Sequence, residues 1–311
     1  MLGAAAIADT AQEKNKDEPQ MVADPQEDQS VPPQRTDEGN MPENLVLAAR
    51  DARNLPLGLR MKAVSEPLLG SPYLVDAVGE GVAPDPDPPA RYDAFDCLTF
   101  VEEVMALALA PDPVNAPRIR NALRYRNGVI DNQKVSYEDR NHFMLAEWVP
   151  RNIANGFLKD ITSTLGETHL LQKELTAATW KRWKRRSLFH LSESRLPRGR
   201  FSLPVLSLSA AEDAMERIPD GAILLTVRKS YDSIPIVVTH LGFKIPSDAE
   251  PRMRHATKMG TEPRIRDERL PWYLEHLRWY RNWPIEGISV LMPQEFGPRK
   301  GRLSKNQRNG L

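Results

Sequence analysis

The chain has a single cysteine, Cys97, among its 311 residues. No disulfide can form within it, which excludes a disulfide-stapled secreted scaffold. No apolar run approaches the roughly 20 residues that a helix needs to span a bilayer. Net charge is absent too: 42 Lys and Arg stand against 42 Asp and Glu. No global field therefore recruits nucleic acid or an anionic membrane. Short-spaced Cys and His pairs of the zinc-site kind are missing, and no internal repeat of about 20–50 residues is visible.

Large apolar residues are scarce in residues 1–43, which hold ten acids against three bases. Such a segment cannot bury enough surface to offset its ordering entropy, so it reads as a disordered acidic extension. Its start, MLGAAAIADT, is small and apolar but lacks a basic leader, so it is no signal peptide as written and reads either as part of the tail or as the remnant of a signal peptide. Residues 44–296 carry the pattern of one globular domain, and residues 297–311 form a basic tail.

Within the domain, 44–55 reads as a first helix with Leu45, Leu47, Ala48 and Ala52 on one side. Gly70, Pro72, Gly79 and Gly81 punctuate an irregular segment, and the loop 84-PDPDPPAR-91 follows it. Residues 98–110 are apolar apart from Thr99, Glu102 and Glu103, which marks a helix central to a core. Residues 115–200 read as mainly helical, including 137–153 and 171–189. In the second of these, Trp180 and Trp183 pack inward while their basic neighbours are solvated. The last third changes period: 221–229, 236–245, 252–257 and 287–293 are short, β-branched and bounded by Pro, Gly or Asp. Helices followed by antiparallel strands imply an α+β fold with helices packed on one face of a small sheet.

Cys97 follows Asp96, a good N-cap residue, and so falls in the first turn of the apolar helix. The unpaired N–H groups and dipole of a helix start favour thiolate over thiol, while the neighbouring carboxylate opposes it. The stretch alone fits a buried, inert thiol as well as a nucleophile. A reactive cysteine needs a base and a group to orient that base. Of the six histidines, His240 lies inside the strongest strand, 236-IVVTHLGFKI-245, where an inward polar group must be satisfied or functional. His255 lies on the next strand, so the two imidazoles fall side by side in an antiparallel pair.

The order of these features resembles the NlpC-type, papain-like cysteine peptidases and amidases, more closely their N-acetylmuramoyl-L-alanine amidase-like branch. The segments that carry the likeness are 70-GSPY-73, 95-FDCLTFVEEVMALAL-109, 124-RYRNG-128 with 137-YEDRNHFMLAEW-148, 240-HLGF-243 and 255-HAT-257. The resemblance implies a papain-like α+β fold with a helical insertion. It implies Cys97 as nucleophile, His240 as general base and His255 as the residue orienting His240, with no metal and no cofactor. Tyr73, Asp96, Arg140, His142 and Trp148 would line the substrate pocket. The implied substrate is the amide between N-acetylmuramic acid and L-alanine in peptidoglycan fragments, which places the protein in the periplasm or cell envelope, as a monomer with no nucleic-acid partner. Asp139, Glu147 and Thr257 depart from that branch's usual Ser, Asp and Ser, which bears on substrate preference. A stem-peptide endopeptidase and a non-catalytic wall-binding protein of the same fold remain open alternatives.

Overall fold

The structure is a computed structural model and describes residues 41–126 and 135–295. The basic tail, residues 1–40 of the acidic extension, and Asn127 and Gly128 of the RYRNG motif lie outside the described residues.

The helices are α1 (Glu43–Ala52), α2 (Leu57–Ser65), α3 (Cys97–Leu109), α4 (Ala116–Arg124), α5 (Val149–Ala154), α6 (Thr162–Leu165), α7 (Ala177–Arg182), α8 (Leu208–Ala214) and α9 (Leu270–Leu277). The strands are β1 (Leu158–Asp160), β2 (His169–Leu175), β3 (Gly199–Val205), β4 (Ile223–Arg228), β5 (Val238–Ile245), β6 (Arg252–Thr257), β7 (Arg264–Arg269) and β8 (Ile285–Pro293). Six of them form an antiparallel sheet in the order β1-β8-β4-β5-β6-β7, and β2 pairs with β3 as a separate ribbon. The architecture is α+β.

Helices cover both faces of the sheet rather than one. Met61, Phe100 and Val104 from α2 and α3 pack with Leu225, Leu241 and Phe243 on the first face. Ala211 of α8 and Leu274 of α9 pack with Leu224, Met253 and Ile288 on the second. Every residue of β4 is buried, as expected of a strand whose two faces are both covered. The sequence pattern missed this because α9 and β7 carry no strong period. β7 reads RIRDER and lies at the sheet edge, where charged side chains discourage pairing with another chain.

Three helical expectations are corrected. In α1 the buried residues are Leu45, Ala49 and Ala52, while Leu47 is 49% exposed; a stripe at i, i+4 and i+7 is what a 3.6-residue period requires. Residues 169–175 form a strand, with Leu171, Lys173 and Leu175 buried in alternation. Helix α7 begins only after Thr176, which forms a capping box with Thr179. Trp180 and Trp183 are buried beside exposed Lys181 and Arg182. Together with Phe143 and Phe189 they build a small aromatic core for the insertion. Residues 137–143 are not regular α-helix, and helical winding starts at the π-turn Met144–Trp148 that leads into α5.

Candidate active site

Helix α3 starts at Cys97 because Asp96, extended at φ −90° and ψ 177°, caps it. The Thr99 amide donates to Asp96 Oδ1 at 2.7 Å, and the Asp96 amide donates to Thr99 Oγ1 at 3.0 Å. This reciprocal box fixes the first turn. Burial pushes the Asp96 carboxyl above the usual range, with the Thr99 bonds opposing. Cys97 itself is 1% exposed. The two acids of the apolar helix are both used. Glu102 pairs with Arg124 at 2.7 Å and accepts from Trp148 Nε1 at 3.0 Å, while Glu103 pairs with Arg120 at 2.9 Å.

Helix α3 packs against both β5 and β6. Phe100, one turn beyond Cys97, stacks on Phe243 with ring centroids 5.7 Å apart. The β5–β6 ladder runs only from Phe243↔Arg254 to Ile245↔Arg252. Farther from the 246–251 connection the strands are joined by side chains instead: His240 Nε2 and His255 Nδ1 are 2.9 Å apart. His240 is half-buried and His255 fully buried. Burial, reinforced by the positive charges of His240 and Arg266, holds His255 well below the usual imidazole range. His255 therefore stays neutral at pH values where an ordinary histidine charges.

Gly242 lets this pair close. A Cβ there would lie 2.5 Å from Met253 Cε, 2.7 Å from the Arg254 carbonyl oxygen and 2.7 Å from His255 Cβ. Gly242→Ala is expected to destabilise the fold by about 1–3 kcal/mol through overpacking and to displace His255. A denaturant midpoint equal to that of the unmodified protein would refute this.

The five residues expected around the pocket divide. Tyr73 is half-buried, bridges to Phe95 just before Cys97, and carries Lys258 Nζ 5.5 Å above its ring centroid. Asp96 is occupied as the helix cap. Arg140 is held by Glu80 and Asp85, each at 2.9 Å, and Tyr125 Oη also donates to Glu80. Its guanidinium therefore ties the 76–91 loop to the insertion instead of reaching toward a ligand carboxylate. His142 is buried, contacts the Tyr137 carbonyl oxygen at 2.6 Å, and is held down to about 3, first by burial and then by Arg140. Trp148 is wholly buried, so neither face of its indole is open to a sugar.

Asp76 belongs to the Arg140 group and sits at φ 56°, a left-handed conformation that Asp and Asn tolerate. Burial first, then the Asp85 and Asp96 charges, push it up to about 7, with Arg140 opposing. The folded chain thus binds this proton more tightly than the unfolded chain does. Its contribution to stability is present below about pH 4 and falls away as pH rises to about 7. At roughly 1.4 kcal/mol per pKa unit the loss is of order 4 kcal/mol. Asp76→Asn is expected to flatten that slope and to raise the unfolding temperature at pH 8 more than at pH 5. Equal slopes in the two proteins would contradict the assignment.

The N-acetylmuramoyl-L-alanine amidase-like (AmiA-like) family model matches residues 63–278. The chain belongs to this family. Two solved structures are similar to this amidase-like chain. One is a Legionella pneumophila protein of the DUF1460 family, at 24% identity and TM-score 0.69, covering 81% of this chain and 93% of that one. The other is an N-acetylmuramoyl-L-alanine amidase from Bacteroides uniformis, at 20% identity and TM-score 0.57, covering 80% of this chain and 100% of that one. At these identities the likeness is one of fold. No curated protein matches the chain.

For this amidase-like chain, sequence reading missed the surroundings of the histidine pair. Thr226 lies opposite His240 in the β4–β5 register, and Tyr273 of α9 donates to or accepts from Thr226 Oγ1 at 2.5 Å. The only local signal was the glycine of 240-HLGF-243. Among the described residues, no group of three or more His, Cys, Asp or Glu is placed to hold a metal ion, and no helix is long and apolar enough to cross a membrane.

Proposed function

We propose that this protein is a papain-like, NlpC-type cysteine amidase that hydrolyses the amide between N-acetylmuramic acid and L-alanine in peptidoglycan fragments. The observation that carries the reading is the His240–His255 contact, formed on the two strands against which the Cys97 helix packs. Since Nε2 of His240 faces His255, the proton exchange with the thiol is assigned to Nδ1. The Cys97 thiolate attacks the amide carbonyl, and backbone N–H groups at the start of α3 stabilise the oxyanion. His240, now protonated, gives its proton to the leaving amine of L-alanine, and the C–N bond breaks. Water, deprotonated by the same imidazole, then releases the muramyl carboxylate and regenerates the thiol. Tyr73, beside the Cys97 approach segment, lines the pocket. A protein acting on this substrate is expected in the periplasm or cell envelope.

Mass spectrometry of defined muropeptides, anhydro forms included, tests the bond assignment. The expected products are a lactyl-bearing sugar and a peptide with a free L-alanine amine. Cleavage between stem residues, with the sugar–alanine bond intact, would replace this reading with a stem-peptide endopeptidase. Glycan binding without any cleavage would favour a wall-binding protein.

A further inference from the structure

The pair His240 Nε2 and His255 Nδ1 shares one hydrogen, and either ring can carry it. If His240 carries it on Nε2, its Nδ1 keeps the lone pair that a base needs, and neutral His255 must hold its own hydrogen on Nε2. In the reverse arrangement His255 donates from Nδ1, and neutral His240 carries its hydrogen on Nδ1, where it cannot accept a thiol proton. The surroundings of His255 Nε2 decide between them. That atom is buried and has no hydrogen-bond partner among the described residues. A buried N–H without a partner is rarer and costlier than an acceptor left under-used. Without further help the pair would settle in the arrangement that cannot work.

Tyr273 supplies that help. Its ring centroid lies 5.6 Å from that of His255 at an interplanar angle of 84°, and 6.2 Å from that of His240. Perpendicular rings at this separation let an edge N–H meet the negative face of an aromatic ring. The Tyr273 ring is pinned at its far end by the hydroxyl contact with Thr226, and both residues are buried. We propose that Tyr273 is a positioning residue whose ring face receives the His255 Nε2–H and so selects the tautomer pair that leaves His240 Nδ1 ready to accept a proton. The inference rests on the amidase reading for its meaning, but its structural content is independent of turnover.

Histidine-labelled full-length protein tests it by ¹⁵N NMR, in which long-range couplings separate Nδ1–H from Nε2–H rings. His255 is expected as the Nε2–H tautomer in the unmodified protein and in Tyr273→Phe, which keeps the ring. In Tyr273→Leu it is expected to shift toward Nδ1–H, with kcat/KM falling about 10- to 100-fold, by analogy with losing an outer partner that orients a metal-ligating histidine. An Nδ1–H His255 in the unmodified protein overturns the proposal, as does an unchanged Nε2–H ring in Tyr273→Leu or a lost one in Tyr273→Phe. If Tyr273→Leu fails to fold, the other two spectra still decide. Failure of the amidase reading would show separately, as a sugar–alanine bond left intact by the unmodified protein, and would leave the tautomer result standing.

Discussion

Cys97→Ala is expected to lower kcat/KM for muropeptide hydrolysis by roughly 10³- to 10⁶-fold, the range seen when a nucleophile acting with its base is removed. Three features of the site lead to so large an effect. The capping box holds the helix start, so the sulfur is fixed at the positive end of the α3 dipole. The chain has no other cysteine to substitute for it. Water reaching the same carbonyl would lack both covalent attack and the thiolate's nucleophilicity. The fold should barely notice the change, because a small side chain replaces a small one at the edge of a rigid helix. His240→Ala is expected to act in the same direction by about 10²- to 10⁴-fold. A Cys97→Ala protein that hydrolyses as well as the parent would end the nucleophile assignment.

Glu102→Ala is expected to be the most destabilising single change near the site, at about 3–5 kcal/mol, the cost of breaking a buried ion pair by removing one partner. Glu102 is 1% exposed and serves Arg124 and the Trp148 indole together. Its loss leaves a buried guanidinium whose remaining partner here is the Pro89 carbonyl, and an indole N–H without its acceptor. At about 2–4 °C per kcal/mol for a domain of this size, the unfolding temperature should drop by roughly 10 °C. The double variant Glu102→Leu with Arg124→Met removes charge and countercharge together and is expected to recover much of that loss. Calorimetry of the single and double variants checks both statements. A single variant that unfolds with the parent would show that the pair does not anchor the helix.

The contact between the two histidines was more legible in the sequence than the two-faced packing of the sheet that carries them. The placement of Cys97 at a helix start and of His240 and His255 on adjacent strands was legible because a cap, a strand pattern and a short motif order each mark a residue locally. The contact between the histidines followed from assigning consecutive antiparallel strands to them. Arg140, His142 and Trp148 misled for a common physical reason: burial turns residues suited to ligands into internal partners. Arg140 meets Glu80 and Asp85, His142 the Tyr137 carbonyl, and Trp148 meets Glu102. The partners of Arg140 and Trp148 are distant in sequence, Trp148 lying 46 residues from Glu102, and the nearby Tyr137 carbonyl is a backbone group that no residue pattern marks. Residues 169–175 looked helical because Leu171 and Leu175 fall four residues apart around Gln172, Lys173 and Glu174, a helical spacing with no β-branched side chain to argue against it. Tyr273 was invisible, since nothing in its helix announces the strand it packs against.

The chain's lone cysteine allows one direct test of whether His240 activates it. The rate of Cys97 alkylation by iodoacetamide, followed by intact mass against pH, reports the thiolate alone. The account predicts thiolate reactivity with an apparent pKa below the ordinary value of about 8.5, moving upward in His240→Ala. An apparent pKa at or above the ordinary value, unchanged by His240→Ala, would contradict it and return Cys97 to the role of a buried core thiol.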